Sequence, residues 1–192
     1  MAFFIGRDRE ARRAYGFDEI ALVPGDVTVN PDEVDTTFHL GNVKLDIPFL
    51  ASAMDGVVDV EFAIAMGKLG GLGVLNLDGI STRYDKPREV VSQIAGATPE
   101  EATRLVQEMY RPPVKEELIA ARIKQIKKAG VPCAISTIPQ NADRYGKIAM
   151  EAGADLFVVQ STVTTVRHKA TKYTPFDITK FCKTMKIPVI VG

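Results

Sequence analysis

Ser52 and Met54 belong to the first of four polar segments that could carry chemistry, each placed directly after a short apolar run. The segment reads Ser52-Ala53-Met54-Asp55-Gly56. Its hydroxyl could bond a phosphate or sugar oxygen, and a flexible thioether packs well on a flat ring. The alternative is structural, because Ser52 could simply end a strand and Met54 could lie in the core. The residues alone leave both interpretations open.

The other three segments are rich in neutral hydrogen-bonding groups: Asn76-Leu77-Asp78, Ser136-Thr137-Ile138-Pro139-Gln140 and Gln160-Ser161-Thr162-Val163-Thr164-Thr165. Ligands of parallel sheets bind at the carboxyl ends of the strands, where all four segments would meet. Hydroxyls and amides suit ribose and nucleobase edges, although any single hydroxyl more often satisfies the backbone of its own loop. The cluster, and no single residue, therefore suggests a ligand site.

The cysteines and histidines predict neither a nucleophile nor a metal site. Cys133 lies in a strand pattern and Cys182 on the apolar stripe of a helix, so we expect both in the core. Without a CxxC motif they form no disulfide framework or zinc signature, which is typical of a reducing cytosol. His39 lies in an alternating run and His168 in a basic loop, neither beside a partner, so no metal ligation is expected.

The elements that would position these segments alternate between strand and helix. Near-continuous apolar runs predict strands buried on both faces of a parallel sheet, at Ile47 to Ala53, Gly71 to Leu75, Pro132 to Ile138, Leu156 to Gln160 and Ile187 to Val191. Helices are predicted after Asp59, after a capping box at Thr98, over Val114 to Ala129 and Asp143 to Ala152, and from Thr174. In the first of them, Phe62, Ile64, Met66 and Leu69 are expected to face inward.

This alternation suits a doubly wound α/β sheet or a (β/α)8 barrel. No GxGxxG follows a strand and no Walker-type lysine loop is present, which weakens the dinucleotide-fold option. A complete barrel takes about 250 residues. We therefore expect the 192 residues to be one domain, the N-terminal part of a (β/α)8 TIM barrel with about its first five strands.

The charge balance excludes some partners. With 24 basic and 24 acidic residues, the chain has no global field to attract nucleic acid or an anionic membrane. No stretch approaches the roughly 18 apolar residues of a membrane span. The sequence therefore predicts a cytoplasmic protein with a small-molecule partner.

Several segments together resemble the IMP dehydrogenase and GMP reductase family. They keep the family's order and spacing over nearly the whole chain: Tyr15-Gly16-Phe17-Asp18-Glu19-Ile20-Ala21-Leu22-Val23-Pro24, Ile47 to Asp55, Gly70-Gly71-Leu72-Gly73-Val74, Glu151 to Asp155 and Ile187 to Gly192. The resemblance implies a (β/α)8 barrel that binds a purine nucleoside monophosphate and NAD or NADP, with a monovalent cation as a further candidate cofactor. It also implies a homotetramer or octamer.

The resemblance gives roles to particular residues. Ser52 and Met54 match the family's nucleotide-contacting serine and methionine. Gln160 stands where the family commonly has an aspartate that contacts the nicotinamide ribose, so the charge of that contact is lost. Ser161 and Thr162, together with Thr137, complete the expected cofactor-binding set. In the family a cysteine attacks purine carbon 2 to give a thioimidate, and its loop lies beyond the position where this chain ends, so no catalytic residue is expected here.

The segment Asp78 to Gly130 is too short for the regulatory CBS modules that dehydrogenases usually insert there. We therefore expect a short, IMP dehydrogenase-related oxidoreductase that converts IMP to XMP. The alternatives are a GMP reductase, which converts GMP to IMP with NADPH, a flavin-dependent barrel enzyme, and a non-catalytic nucleotide-binding fragment.

Overall fold

The computed structural model describes residues 3–7, 9–162, 164–166, 169–171 and 174–192. By its contacts the chain divides into two compact units, Met1–Asp35 and Thr36–Gly192. The sequence predicted that residues 1–192 form the N-terminal part of a single catalytic barrel domain. The division by contacts does not test membership of that domain, so this stays a prediction. His168 lies outside the described residues, and so does Val163.

The first unit contains little regular structure. Strands β1 (Phe3–Phe4) and β2 (Glu10–Ala11) pair antiparallel, and two 3-10 turns follow at Phe17–Glu19 and Pro31–Glu33. None of the described side chains of this unit is buried.

The second unit begins with an antiparallel hairpin of β3 (Phe38–Leu40) and β4 (Val43–Leu45). The parallel sheet follows, and in the described residues its strands stand in chain order: β5 (Leu50–Ala51), β6 (Leu72–Asn76), β7 (Ala134–Thr137), β8 (Leu156–Val159) and β9 (Val189–Val191). Each strand pairs parallel with the next. This order, with helices between the strands, is that of a half-barrel and confirms the predicted α/β barrel class.

Helices fill the connections between the strands. Their bounds are α1 (Val60–Lys68), α2 (Pro87–Ala95), α3 (Pro99–Met109), α4 (Glu116–Lys128), α5 (Pro139–Ala152) and α6 (Ile178–Thr184). A 3-10 turn at Ile80–Thr82 precedes α2. None of the helices within the described ranges is long and apolar enough to cross a membrane.

Local sequence explains most helix ends. Asp59 accepts a hydrogen bond from the Phe62 amide at 2.7 Å, which caps α1, and Thr98 forms the predicted capping box with Glu101. Gly153 ends α5 at a φ of 92°, a left-handed conformation that favours glycine.

The two faces of the sheet bury separate cores. Against one face, α1, α4, α5 and α6 pack over a cluster that includes Leu75, Ile123, Ile135 and Phe157. On the other, the hairpin residues Val43 and Leu45 join a smaller cluster: Leu72, Val74, Ala134 and Leu156. In a barrel this second face is the interior, so the hairpin covers part of the interior.

Three details of the sequence reading are wrong. In α1, Ile64 packs against the core as predicted, but Phe62 and Leu69 are exposed, because the inward face of the helix runs through Val60, Ala63 and Ile64. Helix α5 begins at Pro139, four residues before its predicted start, since proline is well suited to the first helical position. Helix α6 begins after Asp177, whose carboxylate accepts from the Lys180 amide at 2.9 Å.

Candidate functional site

The parallel register places four predicted polar segments at one edge of the sheet. Asn76 is paired with Ser136, and Thr137 with Val159. Ser52 follows β5 directly, and Gln160 follows β8. The carboxyl ends of these strands therefore meet, which is where parallel sheets bind ligands.

The turn after β5 is held by its own backbone. The amide of Met54 donates to the carbonyl of Ser52 at 2.8 Å, and the amides of Val57 and Val58 both donate to the carbonyl of Met54 at 2.9 Å. Ser52 is exposed, and 53% of the Met54 surface is exposed. Met54 is thus outside the core, so the structural alternative raised for this residue does not hold.

Ser52 and Gln160 line a common cavity of about 230 Å³. Its other walls are mostly apolar and come from β5, β6, β8, β9 and the residues that follow β5 and β9: Leu50, Ala51, Ala53, Val74, Val158, Ile190 and Gly192. Apolar walls with a few polar groups at the rim are typical of small-molecule sites. The cavity unites a predicted substrate residue with a predicted cofactor residue, whereas Met54, Thr137, Ser161 and Thr162 are not among its lining residues.

The turn after β8 is anchored to its neighbours on both sides. The Gln160 amide donates to the Thr137 carbonyl at 3.0 Å, and the Ser161 amide donates to the Gly192 carbonyl at 3.1 Å. The side-chain oxygen Oε1 of Gln160 accepts from the hydroxyl of Ser136 at 3.4 Å. Gln160 and Thr162 remain exposed, so their amide and hydroxyl groups are available to a ligand.

The turn after β7 is closed around the carboxylate of Asp78. Asp78 Oδ2 accepts from the Thr137 hydroxyl at 2.6 Å and from the Ile138 amide at 2.9 Å, while Oδ1 accepts from Asn141 Nδ2 at 2.6 Å. Only 1% of the Thr137 surface is exposed. The prediction that Thr137 contacts a cofactor stays untested, but its hydroxyl already has a partner within the chain.

A group around Asp55 was not foreseen from the sequence. The hydroxyl of Tyr110 donates to Asp55 Oδ2, and the guanidinium of Arg83 lies 5.5 Å from the centroid of the Tyr110 ring. Burial, and then the neighbouring Asp55, raise the pKa of Tyr110, so the phenol keeps its proton at neutral pH. Tyr110 and Arg83 lie in a helical stretch without a strand-end pattern, and no local signal marks them.

The two cysteines differ from each other. Cys133 is buried, as predicted, and burial raises the pKa of its thiol to about 12. Cys182 is exposed on α6, so its assignment to the core is wrong: its neighbour Phe181 takes the buried position of this short helix. Neither follows a strand at the carboxyl-end edge, and the described residues contain no group of three or more potential metal ligands.

Comparison with known proteins agrees with this geometry. The domain model described as IMP dehydrogenase / GMP reductase matches residues 14–192. An uncharacterized oxidoreductase of Mycobacterium tuberculosis is 37% identical over 98% of this chain and 52% of its own length. The inosine-5'-monophosphate dehydrogenase of Methanocaldococcus jannaschii is 44% identical over 73 residues, which are 38% of this chain and 15% of that enzyme.

A solved structure gives the same result in three dimensions. The crystal structure of an IMP dehydrogenase/GMP reductase-like protein from Corynebacterium glutamicum superposes with a TM-score of 0.86 and 36% sequence identity, covering 100% of this chain and 51% of that one. The fold and the strand-end site thus define part of a TIM-barrel protein. More particularly, the chain belongs to the IMP dehydrogenase / GMP reductase family. It spans about half the length of the relatives named here that match along nearly all of it.

Proposed function

We propose that this chain forms one wall of the active site of an oxidoreductase that acts at carbon 2 of a purine nucleoside 5'-monophosphate, converting IMP to XMP with NAD or NADP. The observation that carries the proposal is the cavity shared by Ser52 and Gln160, at the carboxyl-end edge of a half-barrel of this family. The reaction would consume IMP, water and the oxidised cofactor, and release XMP, the reduced cofactor and a proton.

On the substrate side, Ser52 and Met54 are proposed to contact the nucleotide. The Ser52 hydroxyl is exposed and can bond a phosphate or ribose oxygen, and the half-exposed Met54 thioether can pack on the purine ring. The apolar residues around Ser52 would exclude water from one side of the base.

On the cofactor side, the residues present fit a dinucleotide ribose. Gln160, Ser161 and Thr162 offer neutral amide and hydroxyl groups after β8, and hydrogen bonds from such groups suit ribose hydroxyls. A bound nicotinamide cofactor would accept or donate the hydride. Thr137 would act indirectly here, because its hydroxyl donates to Asp78 and so fixes the turn beside Gln160.

The nucleophilic sulfur is proposed to come from outside this chain. A thiol as buried as Cys133 is poorly ionised, and Cys182 lies on a helix away from the strand-end turns. A monovalent cation, a homotetrameric or octameric assembly and a cytoplasmic location are proposed with the family resemblance as their support.

The test of the reaction is a pair of assays on the protein as its gene encodes it. With IMP and NAD we expect formation of reduced cofactor, followed by its absorbance, and with GMP and NADPH we expect none. Reduction of GMP without oxidation of IMP would replace our proposal with the GMP reductase alternative.

Isothermal titration of IMP into the protein as its gene encodes it tests the contribution of the wall described here. We expect Ser52→Ala to weaken binding by about tenfold, the value of one net hydrogen bond at the upper end of the usual range. Ser92→Ala is the matched control, because the Ser92 hydroxyl donates only to the Glu89 carbonyl of its own helix, at 3.0 Å.

A further inference from the structure

The carboxylate of Asp55 is held from two sides by residues distant in sequence. On one side the hydroxyl of Tyr110, at the end of α3, donates to Oδ2. On the other side lies the backbone of Gly79, where an added Cβ would overlap the carboxylate of Asp55. Oδ1 is buried and has no hydrogen-bond partner within the described protein. A carboxylate confined in this way has little freedom to move.

Arg83 fixes Tyr110 in turn. Its guanidinium lies over the phenol ring, and its nitrogens Nη1 and Nη2 donate to the carbonyls of Pro112 at 2.8 Å and Asp78 at 2.9 Å. A guanidinium over an aromatic face is attractive, and two carbonyl partners hold its plane. The loop after β6 and the end of α3 are therefore joined into one support beneath Asp55.

Asp55 directly follows Met54, so the support acts on the turn after β5. Met54 is bonded through its amide to Ser52 and through its carbonyl to Val57 and Val58. A displacement of Asp55 would be passed along this short turn to both proposed nucleotide contacts. No atom of Tyr110 needs to touch the nucleotide for this to matter.

We propose that Tyr110 is a positioning residue that sets the nucleotide-facing turn Ser52–Asp55 through its hydrogen bond to Asp55. This inference rests on the proposed function only for the identity of the ligand, since the mechanical link between α3 and the turn is a property of the chain itself. The helical stretch between β6 and β7 is then part of the working site.

Hydrogen–deuterium exchange tests the link without any ligand. Tyr110→Phe removes the donor and keeps the ring under Arg83, so the amides of Met54, Val57 and Val58 should exchange faster. Tyr84→Phe is the matched control: it removes a phenol that donates to the Met109 carbonyl at 3.1 Å in the same region, and does not involve Asp55. Unchanged exchange of the turn in Tyr110→Phe, or equal acceleration in the control, would overturn the proposal.

Titration of IMP then tests the consequence for binding. We expect the dissociation constant to rise about tenfold in Tyr110→Phe and to stay within about twofold in Tyr84→Phe, because a hydrogen bond to a charged group is among the stronger ones. Binding of NAD alone should not change. A looser turn with unaltered IMP affinity would contradict the positioning role.

A second variant displaces the carboxylate from the opposite side. Gly79→Ala should reproduce the faster exchange and weaker binding of Tyr110→Phe, while Gly96→Ala, where an added Cβ meets nothing within 4 Å, should not. This variant also replaces Tyr110→Phe if the latter fails to fold. If the protein as its gene encodes it binds no purine nucleotide while the exchange results hold, the proposed function fails and the link between Tyr110 and the turn stands.

Discussion

The turns after β5 and β7 carry hydroxyl residues at the same edge of the sheet and use them in opposite ways. Ser52 is exposed beside an open cavity, whereas Thr137 is buried and donates to Asp78. Part of the difference comes from the neighbouring strand end, because Asp78 follows β6 and its carboxylate reaches across to the β7 turn.

A hydroxyl at the end of a strand can either form a hydrogen bond within the fold or remain available to a ligand. A hydroxyl with a charged acceptor at 2.6 Å has its donor capacity used within the fold. A hydroxyl left at a cavity rim keeps that capacity for a ligand. The loop after β6 contacts both turns, since Asp78 accepts hydrogen bonds from the β7 turn and Gly79 lies against the Asp55 carboxylate of the β5 turn.

Removal of Asp78 should have the largest effect on the stability of the β7 turn. Asp78→Ala leaves the Thr137 hydroxyl, the Ile138 amide and Asn141 Nδ2 without their acceptor, so we expect the free energy of unfolding to fall by about 3 kcal/mol. Urea denaturation of the chain measures this. Asp85→Ala is the control, because the Asp85 carboxylate is exposed and pairs with Lys115 at the surface. A loss no larger than that of the control would mean that Asp78 does not hold the β7 turn.

Replacing each of the two hydroxyl residues by an apolar residue should show how much each hydroxyl contributes to stability. Thr137→Val should cost about 1.5 kcal/mol of stability, because it removes a buried hydrogen bond to a carboxylate. Ser52→Ala, at an exposed position, should stay within about 0.5 kcal/mol of the unaltered chain. Both are read from the same denaturation curves. Equal losses in the two variants would show that burial does not separate the two turns.

The sequence predicted the parts of this structure that local chemistry controls. The five parallel strands lie within their predicted apolar runs or extend one residue past them, and the caps at Asp59 and Thr98 are where the sequence indicated. These features depend on residues close together in the chain. The hairpin β3–β4 was seen only as an alternating run, because its function of covering the inner core depends on β6, β7 and β8.

The site was predicted less completely for the same physical reason. The strand-end position of Ser52 and Gln160 follows from the apolar runs that precede them, and their common cavity follows from the parallel register. Two hydrogen bonds have no local pattern in the sequence. Thr137 donates to Asp78 across 59 positions, and Tyr110 donates to Asp55 across 55. Such contacts determine which polar residues remain free, and only the folded chain reveals them.

The two cysteines differ in burial, as Thr137 and Ser52 do, and a smaller effect is expected from this difference. Burial, assisted by Asp155, raises the pKa of the Cys133 thiol from 9.0 to about 12, while Cys182 is exposed. At pH 8, iodoacetamide should therefore modify Cys182 in the folded chain and reach Cys133 only after unfolding. Intact-mass spectrometry counts the adducts, and rapid double labelling of the folded chain would contradict the burial of Cys133.

The same shift in pKa predicts how stability depends on pH. Because the folded pKa of Cys133 lies above the unfolded one, its neutral thiol contributes stability fully below pH 9, and this contribution is lost as pH rises toward 12. Cys133→Ala removes the titrating group and keeps a small apolar side chain. Its free energy of unfolding should decline less between pH 9 and 11 than that of the unaltered chain, and Cys182→Ala is the control. Parallel pH profiles for all three proteins would mean that the Cys133 thiol ionises as readily in the fold as in the unfolded chain.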